Sequence, residues 1–161
     1  MTPNPPTIFQ RNQFYVALSV ALFVLACVTP CLEMSRKSDP VWYGLRILSL
    51  GWLGILVGQV AWFANPLWLI SVLLLASRKW IAAIIFSGLA LLVAANTLLL
   101  FVMPLPADES GMNKTSLERF RIGFYCWLAS LAVPFVRACL MRTQAAPQPK
   151  PDVRPHIPYT H

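Results

Sequence analysis

Few side chains in this chain could do chemistry, and most of those lie inside apolar stretches. Three amides, Gln59, Asn65 and Asn96, fall where neighbouring residues are almost all hydrophobic. Lipid offers no hydrogen-bond partner, so each must bond to protein or water. Such amides either tie helices together or line a polar pocket for a small substrate. Helical spacing puts Gln59 and Asn65 on different faces unless a break at Pro66 reorients them. Asp108 and Glu109 form the only acidic pair. Paired carboxylates can hold a cation or accept a proton, but no third carboxylate supports them, and a solvated loop is the plainer expectation.

Other reactive groups point to less. Cys27, Cys31, Cys126 and Cys139 sit in or beside apolar runs without a Cys-x-x-Cys, and read as small buried hydrophobes. His156 and His161 are the only histidines and lie far from every apolar run, which argues against a haem-binding helical anchor. The sequence contains no His-Glu-x-x-His, no phosphate loop, and no Ser-His or Cys-His arrangement. No metal site and no cofactor are expected.

The elements that must position these groups are set by hydropathy. The 161 residues are 57% hydrophobic and 12% charged, against about 25% charged in soluble domains. Residues 47–77 carry no charge and are bounded by Arg46 and by Arg78-Lys79. A straight helix of that length would measure about 45 Å, against a hydrocarbon core of about 30 Å. Either residues 44–52 lie along the interface and a kinked helix over 53–77 spans, or the run breaks at Asn65-Pro66 and returns on one side. Proline disfavours helical geometry in the residue before it, so both readings respect local chemistry.

The other expected spans are 14–32, 80–103 and 121–141, with Pro134 as a kink and Arg137 snorkelling towards the headgroups. Val24-Leu25-Ala26-Cys27 is similar to a lipoprotein cleavage box, but Leu25 fits it poorly, and an uncleaved first helix is expected. Residues 1–13 read as a flexible tail and 143–161 as a disordered, proline-rich one. The fold class expected is therefore all-α: a polytopic membrane bundle of four transmembrane helices, the second kinked or broken at Asn65-Pro66.

Gly51, Gly54 and Gly58 sit in the first half of the long run, and Gly54-xxx-Gly58 is a small-xxx-small pair. That spacing lets helix backbones approach closely, so these glycines are expected at a helix contact. The net charge of +7 comes from loops and tails flanking apolar runs. It speaks for orientation and anionic headgroups, not for nucleic acid. Four spans give no lysine and arginine bias between the two sides, whereas a hairpin over 47–77 does, so charge favours the hairpin and span length favours four helices.

Several segments resemble a known family. They are Gly51-Trp52-Leu53-Gly54, Ala61-Trp62-Phe63-Ala64-Asn65-Pro66-Leu67, Asp108-Glu109-Ser110-Gly111 and Gly123-Phe124-Tyr125-Cys126-Trp127-Leu128-Ala129-Ser130. Together they resemble small bacterial membrane proteins with four predicted spans and no assigned function, over about residues 14–142. The chain departs from that pattern at Glu118-Arg119-Phe120-Arg121, where the approach to the last span is unusually charged, and in its long proline-rich tail. The resemblance implies a four-helix architecture and no activity. The expectation that follows is a multi-pass protein of the bacterial inner membrane, non-enzymatic, serving as an accessory or interaction subunit. Its partners would be the lipid bilayer and other membrane subunits or a second copy. The rival expectation is a small transporter or channel with a polar site at the Asn65-Pro66 break.

Overall fold

Helix α1 (Ile8–Val28) opens the structure, a computed structural model that describes residues 8–35, 40–103, 105–106 and 114–144. It starts before the apolar run does, so residues 8–13, expected in a tail, form its first turns. It stops early because Pro30 disfavours helical geometry at Thr29. The N–H and the Oγ1 of Thr29 both donate to the Leu25 carbonyl, at 3.1 and 2.7 Å, and cap the last turn.

The chain then becomes extended. Strand β1 (Pro30–Met34) pairs antiparallel with β2 (Val41–Tyr43) on one edge and with β5 (Leu117–Phe120) on the other. A separate two-residue pair joins β3 (Leu105–Pro106) to β4 (Lys114–Thr115). This corrects the all-α expectation: the molecule is mostly helical but carries a small three-stranded sheet. The charged approach Glu118–Arg121 acquires a reason. Glu33 lies opposite Arg119 in the register, and Arg119 grips its carboxylate with two bonds of 2.6 and 3.0 Å while Arg121 Nε adds a third at 2.6 Å.

Those bonds, the Arg119 one first, hold the Glu33 carboxyl below the usual carboxylate range. The contribution of this contact is therefore complete above the unfolded pKa of about 4.3 and is lost as pH falls through the lowered folded value. In an NMR titration the Glu33 carboxyl should show a depressed midpoint that Arg119→Met moves back up. An unmoved midpoint would show that the pairing is not formed.

The long uncharged run does not make one helix. Helix α2 (Gly44–Leu50) continues into a 3-10 helix (Gly51–Val57), and the chain reverses at Gly58. It passes through a short 3-10 turn (Ala61–Phe63) into helix α3 (Ala64–Ala76). The break expected at Asn65-Pro66 thus lies at Gly58. Gly58 has φ 78°, its N–H donates to the Ile55 carbonyl, and the next N–H, of Gln59, reaches back to Gly54. That is a Schellman stop, which glycine enters without steric cost. Pro66 sits in the first turn of α3, where its missing N–H would have had no intrahelical acceptor.

A second Schellman stop ends α3. Arg78 N–H bonds to Leu75 and Lys79 N–H to Leu74, with Arg78 itself at φ 60°. The turn leads directly into helix α4 (Trp80–Ala94), extended by a 3-10 segment (Ala95–Phe101). Helix α5 (Ile122–Gln144) follows β5 and carries Pro134 internally.

Helix α1 packs antiparallel along α5, α5 against α4, and α4 against α3. The close-packed stripe of α4 is Ala83, Ser87, Ala90 and Ala94, all buried. Small residues at this spacing let helices approach without a side-chain layer between them. At the middle of the bundle Trp68 of α3 lies stacked on Phe23 of α1, ring centroids 4.1 Å apart. Its Nε1 donates to Ser19 Oγ (2.9 Å) and to the Ser130 carbonyl (3.1 Å), while Ser19 Oγ donates to the same carbonyl at 2.8 Å. Three helices meet on one indole.

Arg137 does not snorkel. It is buried, donates through Nε to Asn12 Oδ1 at 2.9 Å, and lies over the Tyr15 ring. The segments 10–28, 80–101 and 122–144 are long and apolar enough to cross a membrane. The second expected span is instead divided between two shorter apolar helical stretches, 44–57 and 61–76.

Candidate functional site

The reversal at Gly58 folds residues 44–63 into an elbow beside the sheet. Its two arms close because glycines line the contact. A Cβ on Gly51 would stand 2.8 Å from the Trp62 ring, and one on Gly54 would stand 2.9 Å from the Gln59 carbonyl. Trp62 Nε1 then donates across the elbow to the Leu48 carbonyl at 2.8 Å. Of the three glycines expected at a helix contact, Gly51 and Gly54 line the inside of this elbow and Gly58 makes its turn. Gly44 anchors its first arm against α1, where a side chain would collide with the Ala26 carbonyl. Gly44 is not recognisable from sequence, because a close approach set by distant backbone leaves no local signal.

Between the elbow, the end of α1, the 3-10 extension of α4 and the start of α5 lies a cavity of about 470 Å³. Cavities that bind small molecules span about 300–1,000 Å³ and set a few polar groups in apolar walls. Here the walls include Phe23, Leu32, Ile47, Leu53, Leu100 and Phe124. The polar groups are Gln59, Asn65, Thr97, Trp42 and Arg46.

Their hydrogen bonding divides them. Asn65 Oδ1 accepts from Trp127 Nε1 at 2.9 Å. Asn96 lies behind the wall and its Oδ1 accepts from the Val60 N–H at 2.8 Å, pinning the returning arm. Arg46 lies over the Trp42 ring, 5.0 Å from its centroid. By contrast Oε1 and Nε2 of Gln59, Oγ1 of Thr97 and Nε1 of Trp42 are buried without a hydrogen-bond partner among the described residues. Gln59 and Thr97 are 7% and 6% exposed. Leaving such a group unbonded costs about 1–3 kcal/mol, so this concentration of unbonded polar atoms around one cavity is unlike ordinary core.

Cys31 also lines the cavity. Burial pushes its thiol up to about 12, so it stays protonated at neutral pH and contributes packing rather than a nucleophile.

Of the expected site residues the structure therefore brings together Gln59 and Asn65, sets Asn96 next to them in a supporting contact, and adds Thr97 and Trp42. Asp108 and Glu109 lie outside the described residues. Thr97 was legible in principle as a hydroxyl next to Asn96, but threonine so readily bonds its own helix that its sequence position carries no signal. No group of three or more histidine, cysteine or acidic side chains able to hold a metal occurs among the described residues.

Three apolar helices of spanning length, with an elbow that walls an apolar cavity, fit a membrane protein with a ligand-sized pocket. No family model matches the chain, no curated protein matches it, and no solved structure is similar to it.

Proposed function

We propose that this chain is a four-pass protein of the bacterial inner membrane that acts without catalysis, as an accessory or interaction subunit, by holding a lipid-soluble molecule in the elbow pocket. The single observation that carries the reading is the Gln59 amide, whose donor and acceptor are both buried and unbonded on the pocket wall. An amide in that state is complementary to a group that both accepts and donates a hydrogen bond, such as a carboxylic acid, an amide or a hydroxyl. The apolar walls suit a hydrocarbon body, and Leu45, Leu50, Ile55 and Leu56 expose the outside of the elbow to lipid. Native mass spectrometry of protein purified in mild detergent should reveal one bound lipid-soluble mass that is lost in Gln59→Met. Absence of any such mass from wild-type protein would sink the reading.

The same measurement separates the transport reading, for which a water-soluble solute should occupy the pocket. Favouring transport is the helix break close to buried amides. Against it stands the packing beside the pocket, where the lining residue Phe23 is stacked on Trp68 at the middle of the bundle.

The four-pass reading counts the turn before α3 and α3 itself as the second crossing, with the elbow at the interface. The α1 start, the α3–α4 turn and the α5 end then share one side, which is assigned to the cytoplasm; the lysines and arginines that flank the spans divide evenly and do not bias the choice. A topology reporter placed after Ser38 should read periplasmic. A cytoplasmic signal would overturn this arrangement and return the hairpin.

A further inference from the structure

The opposite end of the molecule carries a second, independent feature. A groove of about 530 Å³ runs between α1 and the end of α3. Along α1 it is lined in successive turns by Asn12 and Gln13, by Val16 and Ala17, and by Val20 and Ala21, with Ala76 and Arg78 opposite. It is polar at its outer end and apolar along its length, the profile of one headgroup and one chain.

Asn12 is 4% exposed. Its Oδ1 accepts from Arg137 Nε, which fixes the amide orientation, because a guanidinium can only donate. Its Nδ2 is thereby committed as a donor and is buried without a partner among the described residues. The same end gathers Arg11, Arg78, Lys79, Arg137 and Arg142, while the described carboxylates, Glu33 and Glu118, both lie in the sheet at the other end. Arg78 also holds φ 60° at a stop where glycine is the usual residue. A side chain is kept where the backbone would be easier without one.

We infer that this groove binds an anionic phospholipid of the bilayer, its phosphate at Asn12 Nδ2 and Arg78 and one acyl chain along Val16, Ala17, Val20 and Ala21. The site is separate from the elbow pocket, and its occupant is recognised by charge rather than by a carbonyl or hydroxyl.

The test uses the full chain in lipid nanodiscs, with phosphatidylglycerol titrated against phosphatidylcholine and retained lipid read by native mass spectrometry. Wild type should prefer phosphatidylglycerol, and Arg78→Gly should reduce that preference about fivefold, the worth of one cation near a membrane surface. Arg78→Gly suits the left-handed turn, so a loss of fold does not confound it. Asn12→Asp is the second variant. It keeps an oxygen for Arg137 but replaces the donor with a negative charge, and should abolish the preference with the bundle intact. An unchanged preference in both variants would overturn the inference, as would displacement of the lipid by millimolar inorganic phosphate, which would mean a site for free anion.

Discussion

Trp68→Ala should produce the largest loss of stability of any single substitution in the bundle, about 2–4 kcal/mol. Truncating a buried Trp in a soluble core costs about 3–5 kcal/mol, through lost transfer energy plus the cavity left behind. In a bilayer the separated helices meet lipid tails rather than water, so the transfer part shrinks and the packing part remains. At Trp68 the packing part is large. The indole is 6% exposed, stacks on Phe23 with ring planes 10° apart, and bonds both Ser19 and Ser130. Trp68→Phe separates the contributions. It keeps most of the ring and removes only the N–H, while Ser19 still donates to the Ser130 carbonyl. Interhelical hydrogen bonds in membranes average about 0.6 kcal/mol, so that variant should lose roughly that much. Steric-trap or denaturant unfolding in detergent reads both values. Equal losses would show that the hydrogen bonds, not the packing, hold the three helices.

Gln59→Met should move stability and binding in opposite directions. The substitution preserves chain length and removes two polar atoms that are buried without partners. Relief of that burial should raise the stability of the unliganded protein by about 1–2 kcal/mol. The same change deletes the only amide on the pocket wall, among the described residues, whose donor and acceptor are both unbonded. A ligand group placed there would then be left unpaired, which weakens binding by about 10–100-fold. An amide that merely supported the fold would give the reverse sign on stability. Asn96→Leu provides the contrast. It strips the Val60 N–H of its acceptor and should loosen the elbow, lowering stability and binding together. If Gln59→Met were less stable than wild type, Gln59 would be an ordinary structural amide and not a ligand-binding group.

The two substitutions also mark how far the chain could be read in advance. Hydropathy found the spans 80–101 and 122–144 to within three residues and placed α1 four to six residues late, because a membrane-length helix satisfies its own backbone and needs only a local run of apolar side chains. The Gly58 stop was visible as a glycine, yet Asn65-Pro66 drew the break, since a proline is read as a breaker although it is well placed in a first turn. A further small-residue stripe lies on α4, where alanines and a serine pack closely without any glycine pair to signal it. The sheet was not anticipated. Pro30–Met34 is short and half apolar, and it becomes a strand only through partners as far away as Arg119, 86 residues on from Glu33.

Composition and local pattern thus encode three apolar helices long enough to cross a membrane and the set of amides in apolar surroundings. These are properties of composition and of neighbours within a few turns, where the energy of a segment depends on its own residues. Which amides are satisfied depends on the packing of distant segments. Asn65 bonds Trp127, Asn96 bonds the Val60 N–H, and Gln59 and Asn12 Nδ2 are left facing cavities. The reason is physical: a buried polar group's state depends on which distant backbone or side chain the packing brings within 3 Å of it, and no local pattern encodes that distance.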